Sequence, residues 1–147
     1  MATRAVIEFY HNKQQQQPDI RVWQHFDARP DNVILTLESV YAFLEGSHYA
    51  SNGDRDYSEK VACHYVCEQR TDDGHLNAKV LSASSGDIPY LSYRYVVRLS
   101  LGVWLIDIHD VEDDGRLVDT VTIGRKDSRQ ASIARRLAPL LAEDRVQ

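Results

Sequence analysis

A chain of 147 residues, of which 43% are hydrophobic and 27% are charged, has the composition of one globular domain with its own core. Its net charge of −5 argues against broad binding to nucleic acid, which depends on lysine and arginine side chains neutralising phosphates. No apolar run is long enough to span a membrane, and the opening MATRAVIEFY lacks the apolar region of a secretory signal. We therefore expect a single domain over residues 1–147, located in the cytoplasm and without a membrane partner.

The first two predicted strands form a hairpin. Residues 3–10, TRAVIEFY, alternate between two faces, and residues 20–26, IRVWQHF, resume this alternation after a polar connector. Two such segments joined by a polar loop predict antiparallel pairing. The apolar positions expected on one face are Ala5, Ile7 and Phe9 in the first strand and Ile20, Val22 and Phe26 in the second.

Two helices are predicted next. From Asp31 the apolar spacing changes to the helical period, with Asp31 expected as the N-cap and Gly46 expected to end the helix. A second helix is expected to begin near Ser58, whose hydroxyl would cap it. The positions expected to face the core are Val33, Ile34, Leu37, Val40, Tyr41 and Leu44 in the first helix and Val61, Ala62, Tyr65 and Val66 in the second.

The second half of the chain is dominated by strand patterns. A short strand is predicted within residues 77–84, two longer strands within 90–111 with a break at 100–102, and another strand within 116–124. From Lys126 the pattern indicates a helix that Pro139 should kink or stop. We predict an α+β fold, with an antiparallel sheet of about five strands and two or three helices packed on one face.

The two cysteines lie four residues apart in the second predicted helix. Cys63 and Cys67 share a helix face, but this spacing rarely meets disulfide geometry. Two thiols are half of a tetrahedral zinc set, and His64 points elsewhere on the helix. We expect reduced, free and mostly buried cysteines, and no cofactor.

The segment HFDARPD contains the first candidate site. His25 and Asp27 would share a face at a strand end, where they could hold a metal or act as a general base with its orienting carboxylate. Arg29 could bind a phosphate or carboxylate at the start of the following helix. Asp27 could equally form an Asx-turn while Pro30 fixes the corner, and we favour this architectural role because one histidine and one aspartate do not complete a site.

The acidic segment DIHDVEDDG contains the second candidate site. Asp107 and His109 share a strand face and could bind a divalent cation, although the spacing of a calcium-binding EF-hand is not met. A solvated strand edge that ends in a turn is the commoner origin of such a pattern. The concentrated charge could instead dock on a basic partner. The candidate partner-binding residues are Asp107, Asp110, Glu112, Asp113 and Asp114.

Aromatic residues in the strands give a third candidate. Tyr93 and Tyr95 fall on one face and could stack on a ligand, but packing in the core is the commoner role of aromatic residues in strands. A glycine-rich phosphate loop and a GxSxG nucleophile elbow are both absent from the sequence.

Four segments together resemble a family of small uncharacterised phage and prophage proteins: MATRAVIEFY, VWQHFDARPDNV, LESVYAFLEG and GDIPYLSYRYVVRL. The resemblance extends from residue 2 to about residue 123. It implies an accessory gene of a phage or mobile element whose product acts in the bacterial cytoplasm. Where the family has a glycine followed by an aromatic residue, this chain has Ala28 and Arg29, which weakens an enzymatic role for the corner if that glycine is needed for its backbone freedom.

The favoured hypothesis is a binding protein that inhibits a host defence or regulatory complex through its acidic surface. The alternative is a small metal-dependent hydrolase or nucleotide-binding enzyme that uses His25, Asp27 and Arg29, with Asp107 or His109 as further metal ligands. Pairing of an exposed strand edge with a second copy would give a homodimer, which is a third hypothesis.

Overall fold

The computed structural model describes residues 3–45, 54–71, 73–82, 88, 90–100 and 102–124. Within these ranges the chain forms six strands, two helices and one short 3-10 turn. Their bounds are β1 Ala5–Tyr10, β2 Ile20–Gln24, α1 Pro30–Glu45, α2 Arg55–Glu68, β3 Ala78–Leu81, β4 Tyr93–Ser100, β5 Val103–Asp110, the 3-10 turn Val111–Asp113 and β6 Arg116–Ile123. Gly46 and the helix predicted from Lys126 lie outside the described residues.

The strands form one sheet in the order β3-β2-β1-β4-β5-β6. Neighbouring strands are antiparallel except β1 and β4, which are parallel, with Ala5 opposite Tyr93. The α+β class is therefore confirmed, with six strands where about five were predicted, but the prediction of a purely antiparallel sheet is wrong because the sheet is mixed. Alternation within β1 predicts which residues share a face but not the direction of the partner strand, and here both helices and β3 separate β1 from β4.

Strand β1 lies at the centre of the sheet and is buried along its whole length. Its residues Ala5, Ile7 and Phe9 belong to the core that the strands share with the helices. On the opposite face, Glu8 pairs with Arg94 at 2.6 Å, and the guanidinium of Arg98 lies 4.4 Å from the ring centre of Tyr10. Long side chains from β4 therefore cover the second face of β1.

The helices differ from the prediction at their first residues. Helix α1 begins at Pro30 rather than after Asp31, because proline at the first helical position needs no hydrogen bond from its nitrogen. Helix α2 is capped by Asp54, which accepts a hydrogen bond from the backbone nitrogen of Tyr57 at 3.2 Å, whereas the predicted cap, Ser58, is fully buried in the first turn. The predicted core positions of both helices are confirmed as buried.

Three side chains differ from the prediction in their exposure. Phe26 is 50% exposed, because β2 ends at Gln24 and the alternation stops there. Cys63 and Cys67 are both exposed, so the prediction of mostly buried cysteines is wrong. Val61, Ala62, Tyr65 and Val66 occupy the buried side of α2, which leaves the two thiols on its outer side.

Tyr93 and Tyr95 pack with the core, as their commoner role predicted. Tyr95 is fully buried, and the rings of the two tyrosines lie 6.0 Å apart. They are therefore not an exposed stacking surface. No helix in the described part of the chain is long and apolar enough to cross a membrane.

Candidate functional site

A buried glutamine amide holds the corner between β2 and α1 in place. Gln24 is fully buried, and its amide nitrogen donates hydrogen bonds to the backbone carbonyls of Phe26 at 2.9 Å and Asp27 at 3.1 Å. Its amide oxygen accepts a short hydrogen bond from the hydroxyl of Tyr65. Burial raises the pKa of Tyr65 well above its usual range, which keeps this hydroxyl a donor.

Side chains from three further elements hold the same corner. Asn77 donates to the carbonyl of Phe26 at 2.6 Å, and the hydroxyl of Tyr95 donates to the carbonyl of Ala28 at 2.6 Å. Asn32 in α1 donates to the carbonyl of Asp27 at 2.6 Å. The three successive carbonyls of residues 26–28 therefore all accept hydrogen bonds from side chains, as expected of a structural corner.

His25 and Asp27 are not joined by any of the described contacts. The ring of His25 lies 5.0 Å from the ring of Trp23 and 4.1 Å from the ring of Phe26, and its Nδ1 is buried without a hydrogen-bond partner in the described part of the chain. Asp27 is exposed and has a left-handed backbone, with φ of 52°. Arg29 lies against its neighbour Asp31, with 3.8 Å between Nε and Oδ1. The histidine ring therefore packs against two aromatic side chains and not against the aspartate.

The residue that needs backbone freedom in this corner is Asp27 rather than Ala28. Ala28 is fully buried and is not among the residues with positive φ. Aspartate tolerates the left-handed region better than most residues, so the turn forms without glycine. Ala28 therefore carries no backbone strain here, and the lack of a glycine at this position does not bear on whether the corner is enzymatic.

A polar cluster that the sequence did not predict lies at the other end of β2. The Asp19 carboxylate lies 2.7 Å from Nδ1 of His11 and accepts hydrogen bonds from Ser58 at 2.8 Å and Gln15 at 2.7 Å. Burial raises the pKa of Asp19, but the hydrogen bonds from His11, Ser58 and Gln15 outweigh it, so that the pKa lies below its ordinary value. Asp19 and Ser58 are far apart in the sequence, and no local pattern could have paired them.

This cluster contains serine, histidine and aspartate, but not in the order that nucleophilic catalysis requires. In a catalytic triad the histidine lies between the serine and the carboxylate and removes the proton of the serine. Here the carboxylate of Asp19 is in the middle, and the buried Ser58 donates directly to it. The arrangement therefore fastens the β1–β2 connector to α2.

An open cavity of about 420 Å³ adjoins this cluster, between the first turn of α2 and the end of β3. Asp19, Arg55, Glu59 and Ser82 contribute to its lining. Arg55 and Glu59 pair with each other at 3.2 Å. The charged groups of the cavity are therefore already engaged with protein partners.

The two candidate metal ligands of β5, Asp107 and His109, have separate partners. Asp107 accepts a hydrogen bond from the hydroxyl of Thr120 at 2.8 Å, and Nδ1 of His109 lies 3.0 Å from the carbonyl of Gly115. In the described part of the chain, no group of three or more histidine, cysteine, aspartate or glutamate side chains is arranged to hold a metal ion. The described residues therefore bring no third metal ligand to either predicted pair.

The turn between β5 and β6 holds the other four acidic candidates. Asp110 accepts a hydrogen bond from the backbone nitrogen of Glu112 at 3.0 Å and so caps the 3-10 turn. Asp113 pairs with Arg116 at 2.6 Å, and Asp114 has a φ of 54°. These bonds are local, and residues 111–117 are all exposed.

Exposed apolar side chains lie at the same end of the sheet. Tyr90 is 83% exposed, Leu117 is 50% exposed and Val111 is 36% exposed. The backbone nitrogen of Val111 donates to the carbonyl of Ser92 at 2.9 Å, which holds the chain just after Tyr90 against the turn. We use the name hairpin tip for residues 110–117 together with Tyr90.

Comparisons of the chain with protein-family models, curated proteins and solved structures find no match.

Proposed function

We propose that this chain is an accessory protein of a phage or mobile element that acts by binding a host protein through its hairpin tip. The observation that carries the proposal is the exposure of Val111 and Leu117 within the acidic turn, together with that of Tyr90, two residues before the Ser92 carbonyl that accepts a bond from the turn. Protein interfaces combine an apolar or aromatic centre with a polar rim, and the tip presents both.

Tyr90 is the strongest candidate for the anchor of this interface. Tyrosine is enriched among the residues that dominate binding energy, because it covers a large area with few rotatable bonds. In this chain Tyr90 has a left-handed backbone, with φ of 64°, although it is not a glycine. The left-handed region is unfavourable by about 1 kcal/mol for a residue with a Cβ. Because the Tyr90 ring is exposed, its packing in the free chain does little to offset this cost.

The charge of the tip indicates a basic partner. Glu112, Asp113 and Asp114 are exposed, and one of them, Asp113, is paired with Arg116. Complementary charge at the rim of an interface mainly accelerates association and selects the partner. The resemblance to phage proteins supports a host defence or regulatory complex as the class of target.

Affinity capture from a bacterial lysate tests this proposal, with the intact chain as bait. The tip variant combines Tyr90→Ala with Glu112→Lys, and the control is Glu68→Lys, which makes the same charge change at an exposed position of α2. We expect the proteins captured at low salt to be lost with the tip variant and kept with the control. Capture of the same proteins by the tip variant would show that another surface binds.

The kinetics of binding to a captured protein test the role of charge. Asp114→Asn removes a charge and keeps a residue that tolerates the left-handed backbone, and Asp113→Lys reverses a charge. We expect the charge reversal to slow association about tenfold at low salt, with a smaller difference at high salt. An association rate that responds to neither the variants nor salt would contradict an acidic interface.

A further inference from the structure

The two cysteines of the chain lie where cysteine is seldom found. Free cysteine is among the most buried residue types, yet Cys63 and Cys67 are both free and both exposed on α2. They are the only two cysteines in the sequence. Their exposure has no packing explanation, since other residues fill the core side of the helix.

The spacing of the two thiols suits a metal ion better than a disulfide. On a helix, residues at i and i+4 have Cβ atoms about 5–6 Å apart, which is longer than a disulfide normally spans. A tetrahedral zinc ion with Zn–S bonds of about 2.3 Å requires neighbouring sulfurs about 3.8 Å apart, which two side chains leaning together can provide. The spacing therefore fits two of the four ligands of a tetrahedral thiolate site.

One chain does not complete this site within its described residues. No group of three or more metal-ligating side chains is present there. The nearest histidine in sequence, His64, has its ring 4.9 Å from the ring of Phe43. Structural zinc sites are four-coordinate and closed, so two further ligands must come from elsewhere.

We propose that Cys63 and Cys67 from two copies of this chain together bind one zinc ion, or a similar thiophilic divalent ion, as a four-cysteine site. A two-fold axis through the ion would place the two thiols of one chain opposite the same two thiols of the other, as in other symmetric dimers. Each of the four thiols loses its proton to solvent as its sulfur–metal bond forms, and no group is oxidised or reduced. The inference does not depend on the hairpin tip.

The surface around the thiols is suited to a second copy. Phe43 of α1 is 57% exposed and contacts His64, the residue next to Cys63. Lys60, about one turn before Cys63, pairs with Asp56 of the same helix at 3.1 Å. A second copy would therefore cover apolar surface beside the ion, with this lysine charge already compensated.

Metal-dependent dimerisation of the intact, reduced chain tests the proposal. The chain is kept reduced with a phosphine, titrated with Zn²⁺ and examined by sedimentation. We expect a doubling of the mass with one ion bound per two chains, reversal by a chelator, and thiolate-to-metal absorption when Cd²⁺ replaces Zn²⁺. Because the ion displaces protons, binding should strengthen as the pH rises.

Three variants make the test specific. Cys63→Ser and Cys67→Ser should each lose the metal-dependent dimer, and their exposed positions keep the fold intact, which circular dichroism checks. His64→Ala should keep one ion per two chains. Metal binding that is unchanged in the serine variants, one ion per monomer, or a dimer that survives the chelator would each overturn the proposal.

Discussion

The corner between β2 and α1 and the hairpin tip contain similar residues, but different kinds of hydrogen bond hold them in place. The corner at one end of β2 and the tip each place an aspartate in the left-handed region, with φ of 52° at Asp27 and 54° at Asp114. At the corner, the backbone carbonyls accept bonds from the fully buried side chains of Gln24, a near neighbour, and Tyr95, which is distant in sequence. At the tip, the bonds join near neighbours that are exposed.

This difference separates scaffold from surface. A buried hydrogen-bonded network is costly to disturb, because each lost partner leaves a polar group without water. When an exposed local hydrogen bond breaks, water takes the place of the lost partner. Residues of the tip can therefore be substituted with little loss of folding stability. The corner is therefore a support for α1, and the tip is the freer of the two to meet a partner.

The largest effect is expected from Gln24→Ala. The substitution leaves the hydroxyl of Tyr65 and the carbonyls of Phe26 and Asp27 with fewer partners in a buried setting. We expect the free energy of unfolding to fall by about 3 kcal/mol, as measured by urea denaturation. The same truncation at the exposed Gln16 is the control, with an expected change within about 0.5 kcal/mol. Equal effects at both positions would contradict a supporting role for the corner.

A smaller effect, dependent on pH, is expected at the other end of β2. The pKa of Asp19 is lower in the folded chain than its ordinary value, so its carboxylate stabilises the fold above the ordinary carboxyl range. This stability is lost as the pH falls through the ordinary value and then the lower folded one. Asp19→Asn should lower the stability at neutral pH by about 2 kcal/mol and flatten the acid limb of the profile, measured by unfolding at several pH values. An unchanged acid limb would show that other carboxylates dominate it.

The smallest effect compares the two left-handed aspartates directly. Alanine has a Cβ that the left-handed region disfavours, whereas glycine has none. At both Asp27 and Asp114 we expect the alanine variant to be less stable than the glycine variant by about 1 kcal/mol, as measured by thermal unfolding. A difference at only one of the two positions would contradict equal backbone strain at Asp27 and Asp114.

Local patterns predicted the elements of the fold and the antiparallel pairing of β1 with β2, but not the pairing of β1 with β4. Helical spacing placed Ile34, Leu37 and Leu44 in the core, and alternation placed Ala5, Ile7 and Phe9 together. The parallel pairing of β1 with β4 depends on the path of the chain between them, which no local pattern encodes. The exposure of Cys63 and Cys67 had an available signal, because Val61, Ala62, Tyr65 and Val66 already define the buried side of that helix.

The candidate sites were less predictable than the fold. The two-residue spacing of His25 and Asp27 predicted that they share a strand face. Strand β2 ends at Gln24, so the alternation that would have aligned them does not extend to either residue. The contact of Asp19 with Ser58 joins segments that only the tertiary structure brings together. The exposure of Tyr90 likewise depends on how the chain enters β4.

The parallel pairing of β1 with β4 has a consequence for biosynthesis. The hairpin of β1 and β2 is translated before the strand that closes its open side, Tyr93–Ser100, because both helices and β3 lie between them in the chain. The nascent chain therefore carries an unpaired strand edge from the synthesis of β1 until that of β4, and this edge is open to pairing with other chains during that interval.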